Sequence, residues 1–153
     1  MKKYIFLFLI FFLSEKIFSQ NIEYGNNQKV GKTLHLKDAD IYYEIYGKGK
    51  PLFLLHGNGG SIDAFKLEIP ELAKHFMVVA MDTRAQGKST DTSLEPLTYR
   101  KFAEDVKALA DTLKLRKINI LGWSDRGNTG LEFAIKYPKN LKTWTQMERG
   151  DLI

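Results

Sequence analysis

The sequence predicts an α/β fold in which a mostly parallel sheet is flanked by helices. Two apolar runs, residues 52–55 and 76–81, lack polar alternation and are typical of strands buried on both faces. A third apolar run covers residues 118–122, and a helical pattern follows each of the three. Because strands that alternate with helices favour a parallel sheet with helices on its faces, this order predicts the fold class.

The first elements predict a hairpin and a helix. Residues 33–37 and 41–46 are rich in β-forming side chains, and the short polar segment between them predicts a hairpin. After the first apolar run, a helix is predicted over residues 63–74, with an interruption at Pro70.

The second half of the chain predicts two further helices. Thr98 is a suitable N-cap, and the apolar residues after it recur at intervals of three and four, which places them on one helix face: Tyr99, Phe102, Val106, Leu109, Ala110 and Leu113. A helix is predicted over residues 129–137, where Pro138 ends it. Residues 141–147 then predict a sixth strand.

The N-terminus has the pattern of a secretory signal. Residues 2–3 are lysines, residues 4–13 are apolar, and Ser19 is a small residue that suits the position before a cleavage site. The apolar run is too short for a membrane span, which needs about 20 residues. Residues 1–19 are therefore predicted to be a signal peptide cleaved between Ser19 and Gln20, with an uncleaved anchor as the alternative.

Composition indicates one globular domain after this signal. The chain has 153 residues and 44% hydrophobic residues, which is typical of a single folded domain. Residues 20–32 are predicted to be a flexible lead-in and residues 33–153 a partial α/β domain. The processed chain is expected to be secreted or periplasmic, without a stable membrane anchor.

Composition also excludes some chemistry. The sequence contains no cysteine, so disulfides, thiol nucleophiles and thiolate metal sites are excluded. The net charge of +5 comes from scattered lysines without interleaved aromatics, so nucleic acid is not expected as a partner. The three histidines show no metal-ligand spacing, and no metal site is expected: His35, His56 and His75.

The most informative motif follows the third apolar run. Residues 122–127 read G-W-S-D-R-G, which is close to the G-x-S-x-G nucleophile elbow, a strained strand-to-helix turn that exposes a serine. Ser124 is therefore the candidate nucleophile. The fifth position carries Arg126 where a small residue is expected, and we expect its bulk to strain the turn. The alternative is that Ser124 only caps the following helix.

Two other loops begin where apolar strands end. Residues 56–61 read H-G-N-G-G-S and residues 81–89 read M-D-T-R-A-Q-G-K-S. Since the carboxyl ends of parallel strands meet at one sheet edge, the three motifs are expected to converge there. Acyl transfer needs two N–H donors for the developing oxyanion, and the backbone N–H groups of Asn58 and Asp125 are placed to supply them.

The charged residues of these loops are given structural roles. His56 is interpreted as a hydrogen-bonding residue of its own loop rather than as a catalytic base. Asp82 and Arg84 are predicted to hold their loop by an ion pair. Phosphate binding by the glycine-rich residues 57–60 is a weaker interpretation, because the loop lacks the Gly-Lys-Ser/Thr ending of a P-loop.

With three motifs in this order, the chain resembles the N-terminal half of α/β-hydrolase-fold proteins, especially members whose elbow reads G-W-S-D-G-G. The resemblance covers about residues 33–147, ending near the sixth strand of the family sheet. It implies a serine hydrolase that acts on a small-molecule carboxylic ester or amide through an acyl-enzyme. Ser124 is the implied nucleophile and the N–H groups of Asn58 and Asp125 the implied oxyanion donors. No cofactor is implied.

The chain departs from the family pattern in three ways. Ala85 replaces a glycine of the R-G-x-G loop, Arg126 replaces a small elbow residue, and no histidine follows Ser124. The family supplies its acid and histidine after the nucleophile, so they are expected in a C-terminal half outside this sequence. Two hypotheses follow: a secreted serine hydrolase represented by its N-terminal portion, or an inactive hydrolase remnant or ligand-binding module.

Overall fold

The computed structural model describes residues 22–148, and these residues form one six-stranded sheet. The predicted signal peptide, residues 1–19, lies outside the described residues and stays a prediction. The strands run in the spatial order β1-β2-β4-β3-β5-β6. Their bounds are Gly31–His35 (β1), Asp40–Tyr46 (β2), Lys50–Leu55 (β3), Phe76–Met81 (β4), Ile118–Trp123 (β5) and Leu141–Met147 (β6).

The pairing confirms the predicted fold class. β1 and β2 form the expected antiparallel hairpin, and β2 also pairs antiparallel with β4. The other three pairs are parallel, and β3 lies between β4 and β5. The sheet is therefore mostly parallel, with its antiparallel part confined to one side.

Helices and 3-10 turns connect the strands. The 3-10 turns cover Ile62–Phe65 and Ser124–Arg126, and the helices cover Glu68–Leu72 (α1), Tyr99–Thr112 (α2) and Gly127–Lys136 (α3). Thr98 caps α2 as predicted, because its Oγ1 accepts a hydrogen bond from the Lys101 N–H at 3.2 Å. Within residues 22–148, no helix is long and apolar enough to cross a membrane.

The helix predicted over residues 63–74 is interrupted, but not at Pro70 as the sequence predicts. The segment instead forms a 3-10 turn and the short helix α1, and the break lies before Pro70. Pro70 stands in the first turn of α1, where its missing N–H needs no intrahelical acceptor. The proline therefore fits the start of a new helix better than the interior of a long one.

The core lies on both faces of the sheet, as the unbroken apolar runs predict. Along β3, Phe53 and Leu55 enter the cluster that packs against α2 and α3. Leu52 and Leu54 enter the opposite cluster, together with side chains of the first 3-10 turn and α1. Because alternate residues of a strand point to opposite faces, only a continuous apolar run fills both clusters.

The described part of the predicted lead-in, residues 22–32, contacts the sheet. Its backbone N–H groups at Gly25 and Asn27 donate to the Glu44 carboxylate at 2.9 and 2.8 Å. Glu44 is fully buried and also accepts from the hydroxyls of Tyr42 and Tyr46 at 2.8 and 2.7 Å. A buried carboxylate needs such donors, so burial of Glu44 ties this segment to β2.

Candidate active site

The elbow has the backbone strain that its motif predicts. Ser124 lies between β5 and α3 with a φ of 55°, in the left-handed region that non-glycine residues seldom adopt. A Cβ added to Gly122 would lie 2.5 Å from the carbonyl oxygen of Arg126, so a glycine is required two residues before the serine. The turn thus presents Ser124 at the carboxyl end of a central strand.

Arg126 fits this turn without backbone strain, which corrects the expectation that its bulk would distort it. Its φ of −74° and ψ of −8° are helical. The side chain turns inward, is 2% exposed and lies over the Phe102 ring, 4.2 Å from the ring centroid. Nη1 pairs with the Asp125 carboxylate, and Nη2 lies 3.4 Å from Thr83 Oγ1.

Arg126 is electrostatically unusual because it is buried and, within residues 22–148, pairs with one acid, Asp125. Burial lowers the pKa of its guanidinium, and the Asp125 carboxylate opposes this effect. Its Nε has no hydrogen-bond partner among the residues that the structure describes. Asp125 therefore provides the countercharge of this buried guanidinium.

His56 supports its loop, as interpreted from the sequence. Its Nδ1 donates to the Gly57 carbonyl oxygen at 2.9 Å, and its Nε2 accepts from the Thr83 N–H at 3.0 Å. The ring is fully buried, and burial lowers its pKa and favours the neutral form. Since both ring nitrogens are engaged with backbone, His56 joins the loops after β3 and β4 rather than serving as a base.

The ion pair predicted between Asp82 and Arg84 is not how their loop is held. Asp82 accepts from the backbone N–H groups of Ile62 and Lys88, both at 2.8 Å. These bonds lower its pKa, but burial has the larger effect and raises it. Arg84 instead forms a two-pronged pair with Asp105 of α2, at 2.9 and 2.7 Å.

The same loop contains a second strained residue. Ala85 has a φ of 61°, a conformation that costs about 1–2 kcal/mol for a residue with a Cβ. This is the position where the resemblance implies glycine, which adopts such angles freely. The alanine therefore adopts a backbone conformation that would suit a glycine.

The two candidate oxyanion donors lie beside the elbow, but one already has an acceptor. The Asn58 N–H donates to Asp125 Oδ1 at 2.8 Å. Gln86 fixes the loop from the other side: its Oε1 accepts from the Gly59 N–H at 2.9 Å, and its Nε2 donates to Asn58 Oδ1 at 3.0 Å. The contacts therefore join all three motifs, as convergence of the strand ends predicts.

The hydrogen bonds that Gln86 and Thr83 make to the loop after β3 are not predicted by the sequence. Both residues belong to the loop of residues 81–89, and no sequence signal identifies their partners. Both become evident only when the loops after β3, β4 and β5 lie together.

An open cavity of about 460 Å³ lies at the elbow. A second one, of about 470 Å³, shares Asn58 and Asp125 with the first and reaches Arg126 and Phe102. Among residues 22–148 no cluster of His, Asp and Glu is arranged to hold a metal. The lining of the first cavity includes Gly57, Asn58, Ala64, Trp123, Ser124 and Asp125. Ser124 therefore lies in the wall of an open cavity.

Comparisons with known proteins agree with this geometry. Human serine hydrolase BPHL is 37% identical over 105 residues, which is 65% of this chain and 36% of BPHL. The 2-hydroxy-6-oxo-6-phenylhexa-2,4-dienoate hydrolase of Comamonas testosteroni is 30% identical over 134 residues, which is 84% of this chain and 47% of that enzyme. The chain thus spans less than half the length of these relatives.

The structural comparison gives the same result. The crystal structure of a hydrolase from Pseudomonas aeruginosa PA01 superposes with a TM-score of 0.69 at 30% identity, over 74% of this chain and 44% of that one. The sequence model described as alpha/beta hydrolase fold matches residues 50–148, the greater part of the chain. The protein belongs to the alpha/beta hydrolase fold family.

Proposed function

We propose that this chain carries the nucleophile and the oxyanion donors of a secreted serine hydrolase that acts on a carboxylic ester or amide. The observation that supports the proposal most is the left-handed backbone of Ser124 at a tight strand-to-helix turn beside an open cavity. A strained serine of this kind needs a reason to persist, and presentation of a nucleophile is such a reason.

In the proposed reaction, Ser124 Oγ attacks the acyl carbon and its proton passes to a base. The carbonyl oxygen gains negative charge and is stabilised by the N–H groups of Asp125 and Asn58. The alcohol or amine leaves with a proton, and water then releases the acid from the acyl-enzyme.

The base is proposed to lie outside this sequence. No histidine follows Ser124 in the chain, and the hydrogen bonds of His56 occupy both of its ring nitrogens. Serine without a base is a weak nucleophile at neutral pH. By analogy with triad variants, the chain by itself is expected to retain at most about 10³–10⁴-fold catalysis over water.

The experiment compares the 153-residue chain with its Ser124→Ala variant on a short-chain aryl ester. A serine-dependent release of the phenol is expected, weak for this chain alone and stronger for a longer form that includes an acid and a histidine. Ser61→Ala is a matched control, because Ser61 lies on the neighbouring loop and its side chain does not cap the 3-10 turn that follows it. Equal rates with and without Ser124→Ala in the longer form that includes an acid and a histidine would contradict the proposal.

A second candidate function is non-catalytic: the chain would be an inactive hydrolase remnant, or a module that binds a ligand in the elbow cavity. The observation that favours it is that the Asn58 N–H already donates to a carboxylate of the chain itself. A longer form that is catalytically silent yet binds an uncleaved ester in the elbow cavity would support this candidate.

Secretion is proposed from the sequence of residues 1–19. Expression of the full coding sequence in a bacterium, followed by N-terminal sequencing of the exported protein, tests it. A mature chain that begins at Gln20 is expected, and retention of Met1 in a cytoplasmic product would contradict the proposal.

A further inference from the structure

The Asp125 carboxylate occupies a backbone donor that the proposed function assigns to the oxyanion. Its Oδ1 accepts from the Asn58 N–H at 2.8 Å, the donor that the proposed function assigns to the oxyanion. A carboxylate oxygen and an oxyanion are the same kind of charged acceptor, and such bonds are short and strong. One N–H directs a well-aligned bond to one acceptor, so this donor is occupied in the structure.

The second oxygen of the same carboxylate is held from the other side. Asp125 Oδ2 pairs with Nη1 of Arg126. The guanidinium cannot move away easily, because it lies over the Phe102 ring and its Nη2 faces Thr83 Oγ1 at 3.4 Å. The carboxylate is therefore bound at both oxygens, by the Asn58 N–H at one and by an elbow arginine at the other.

The arginine in turn needs the carboxylate. Arg126 is 2% exposed, and Asp125 is its acidic partner among the residues that the structure describes. A buried cation without a partner is costly, so the ion pair persists. Asp125 is 27% exposed at its side chain, which leaves it room to swing from Asn58 while it stays paired with Arg126.

We propose that Asp125 and Arg126 form a latch over the oxyanion position: the carboxylate closes the Asn58 donor, and a substrate oxyanion must displace it before Ser124 can be acylated. The inference rests on the proposed function, since it concerns the availability of the same donor. Arg126 acts as a positioning residue, because it sets the carboxylate and does not itself touch the reacting atoms. Arg126, the unexpected residue of the elbow, thus influences whether the Asn58 N–H is available to an oxyanion.

The test measures the donor and the nucleophile separately in the 153-residue chain. Amide hydrogen exchange, followed by NMR, reports on the Asn58 N–H, and the labelling rate with a fluorophosphonate probe reports on Ser124. The variants are Asp125→Ala, which removes the latch, and Arg126→Met with Arg126→Lys as its charge-retaining partner. Asp63→Ala is the matched control, because Asp63 is an exposed aspartate of the neighbouring 3-10 turn.

Loss of the latch is expected to open the donor. Asn58 exchange and Ser124 labelling should each rise about tenfold in Asp125→Ala, as befits one charged hydrogen bond. Arg126→Met should show part of this rise, and Arg126→Lys should restore the original rates. If Arg126→Met does not fold, the partly exposed Asp125 still allows the comparison. Ser124→Ala is the blank for labelling.

Two results would overturn the latch, and a third would overturn the proposed function. Equal Asn58 exchange in Asp125→Ala and Asp63→Ala overturns the latch. So does faster exchange with unchanged serine-dependent labelling, because the contact then does not limit reaction. Absence of Ser124-dependent labelling in every variant, and in a longer form with its base, overturns the proposed function instead, while the exchange result still decides whether Asp125 closes the Asn58 donor.

Discussion

Replacement of Arg84 by methionine is expected to destabilise the fold strongly. The arginine binds both oxygens of Asp105, and its Nη1 reaches Asp91 at 3.0 Å. The side chains of Arg84 and Asp105 are each 3% exposed. Burial raises the pKa of Asp105 and the arginine opposes that rise, so the variant leaves a buried carboxylate without this compensation.

The size of the loss follows from this burial. Removing one partner of a buried pair typically costs about 3–5 kcal/mol. For a domain of this size, such a loss corresponds to a fall in Tm of about 10–15 °C. The loss of stability in Arg84→Met should be smaller at low pH. Asp105 has a raised pKa in the folded state, so on acidification it binds a proton in the folded state before it does so in the unfolded state, and this favours folding.

Thermal unfolding followed by circular dichroism at pH 7 and pH 5 provides the measurement. Lys107→Met is the matched control, since it breaks a 2.6 Å ion pair with Asp111 on the exposed side of α2 and should cost less than about 1 kcal/mol. The double variant Arg84→Met/Asp105→Asn should recover part of the loss. If Arg84→Met is no less stable than Lys107→Met, the reasoning about the buried pair is refuted.

Three further predictions concern the elements around the site. Because burial lowers the pKa of His56, its contribution to stability is present above about pH 6.5 and is lost as the pH falls through the folded pKa. The free energy of unfolding in urea should therefore fall between pH 7 and pH 5, by at most about 1.4 kcal/mol per pH unit. His56→Asn should make the free energy of unfolding less dependent on pH. Ala85→Gly should stabilise the chain by about 1 kcal/mol, because the φ of Ala85 is 61°. Ala73→Gly is the control and should destabilise the chain, because the φ of Ala73 is −65°. Equal shifts in Tm for the two variants would contradict the strain argument. Glu44→Ala should free the lead-in, so trypsin should cut after Lys29 at least tenfold faster by mass spectrometry, and an unchanged rate would show that Glu44 does not hold it.

The strands and the mostly parallel fold class were predictable because they depend on local patterns. Unbroken apolar runs identify β3 and β4 as strands buried on both faces, and the parallel order places the three motifs at one edge. The backbone of Ser124 was predictable for the same reason, since the strand, the turn and the helix around it are consecutive in sequence.

The side-chain partners were not predictable, because they are set by packing between distant segments. Arg84 pairs with Asp105, an acid on another element, rather than with the nearer Asp82. Arg126 looks like a disruption in the motif, and only the space beside the Phe102 ring shows how the turn accommodates it. Occupation of the Asn58 N–H likewise depends on two loops that are far apart in sequence.

The position of β3 between β4 and β5 has a consequence for the order in which the protein can be made. During synthesis the chain emerges from its N-terminus, so β3 can pair with β4 as soon as residue 81 is available. Its other edge waits for β5, residues 118–123. Through that interval β3, whose residues 52–55 are all buried in the complete sheet, has one open edge, which is the kind of surface that promotes aggregation. A nascent chain paused between β4 and β5 is therefore the form that most needs a chaperone.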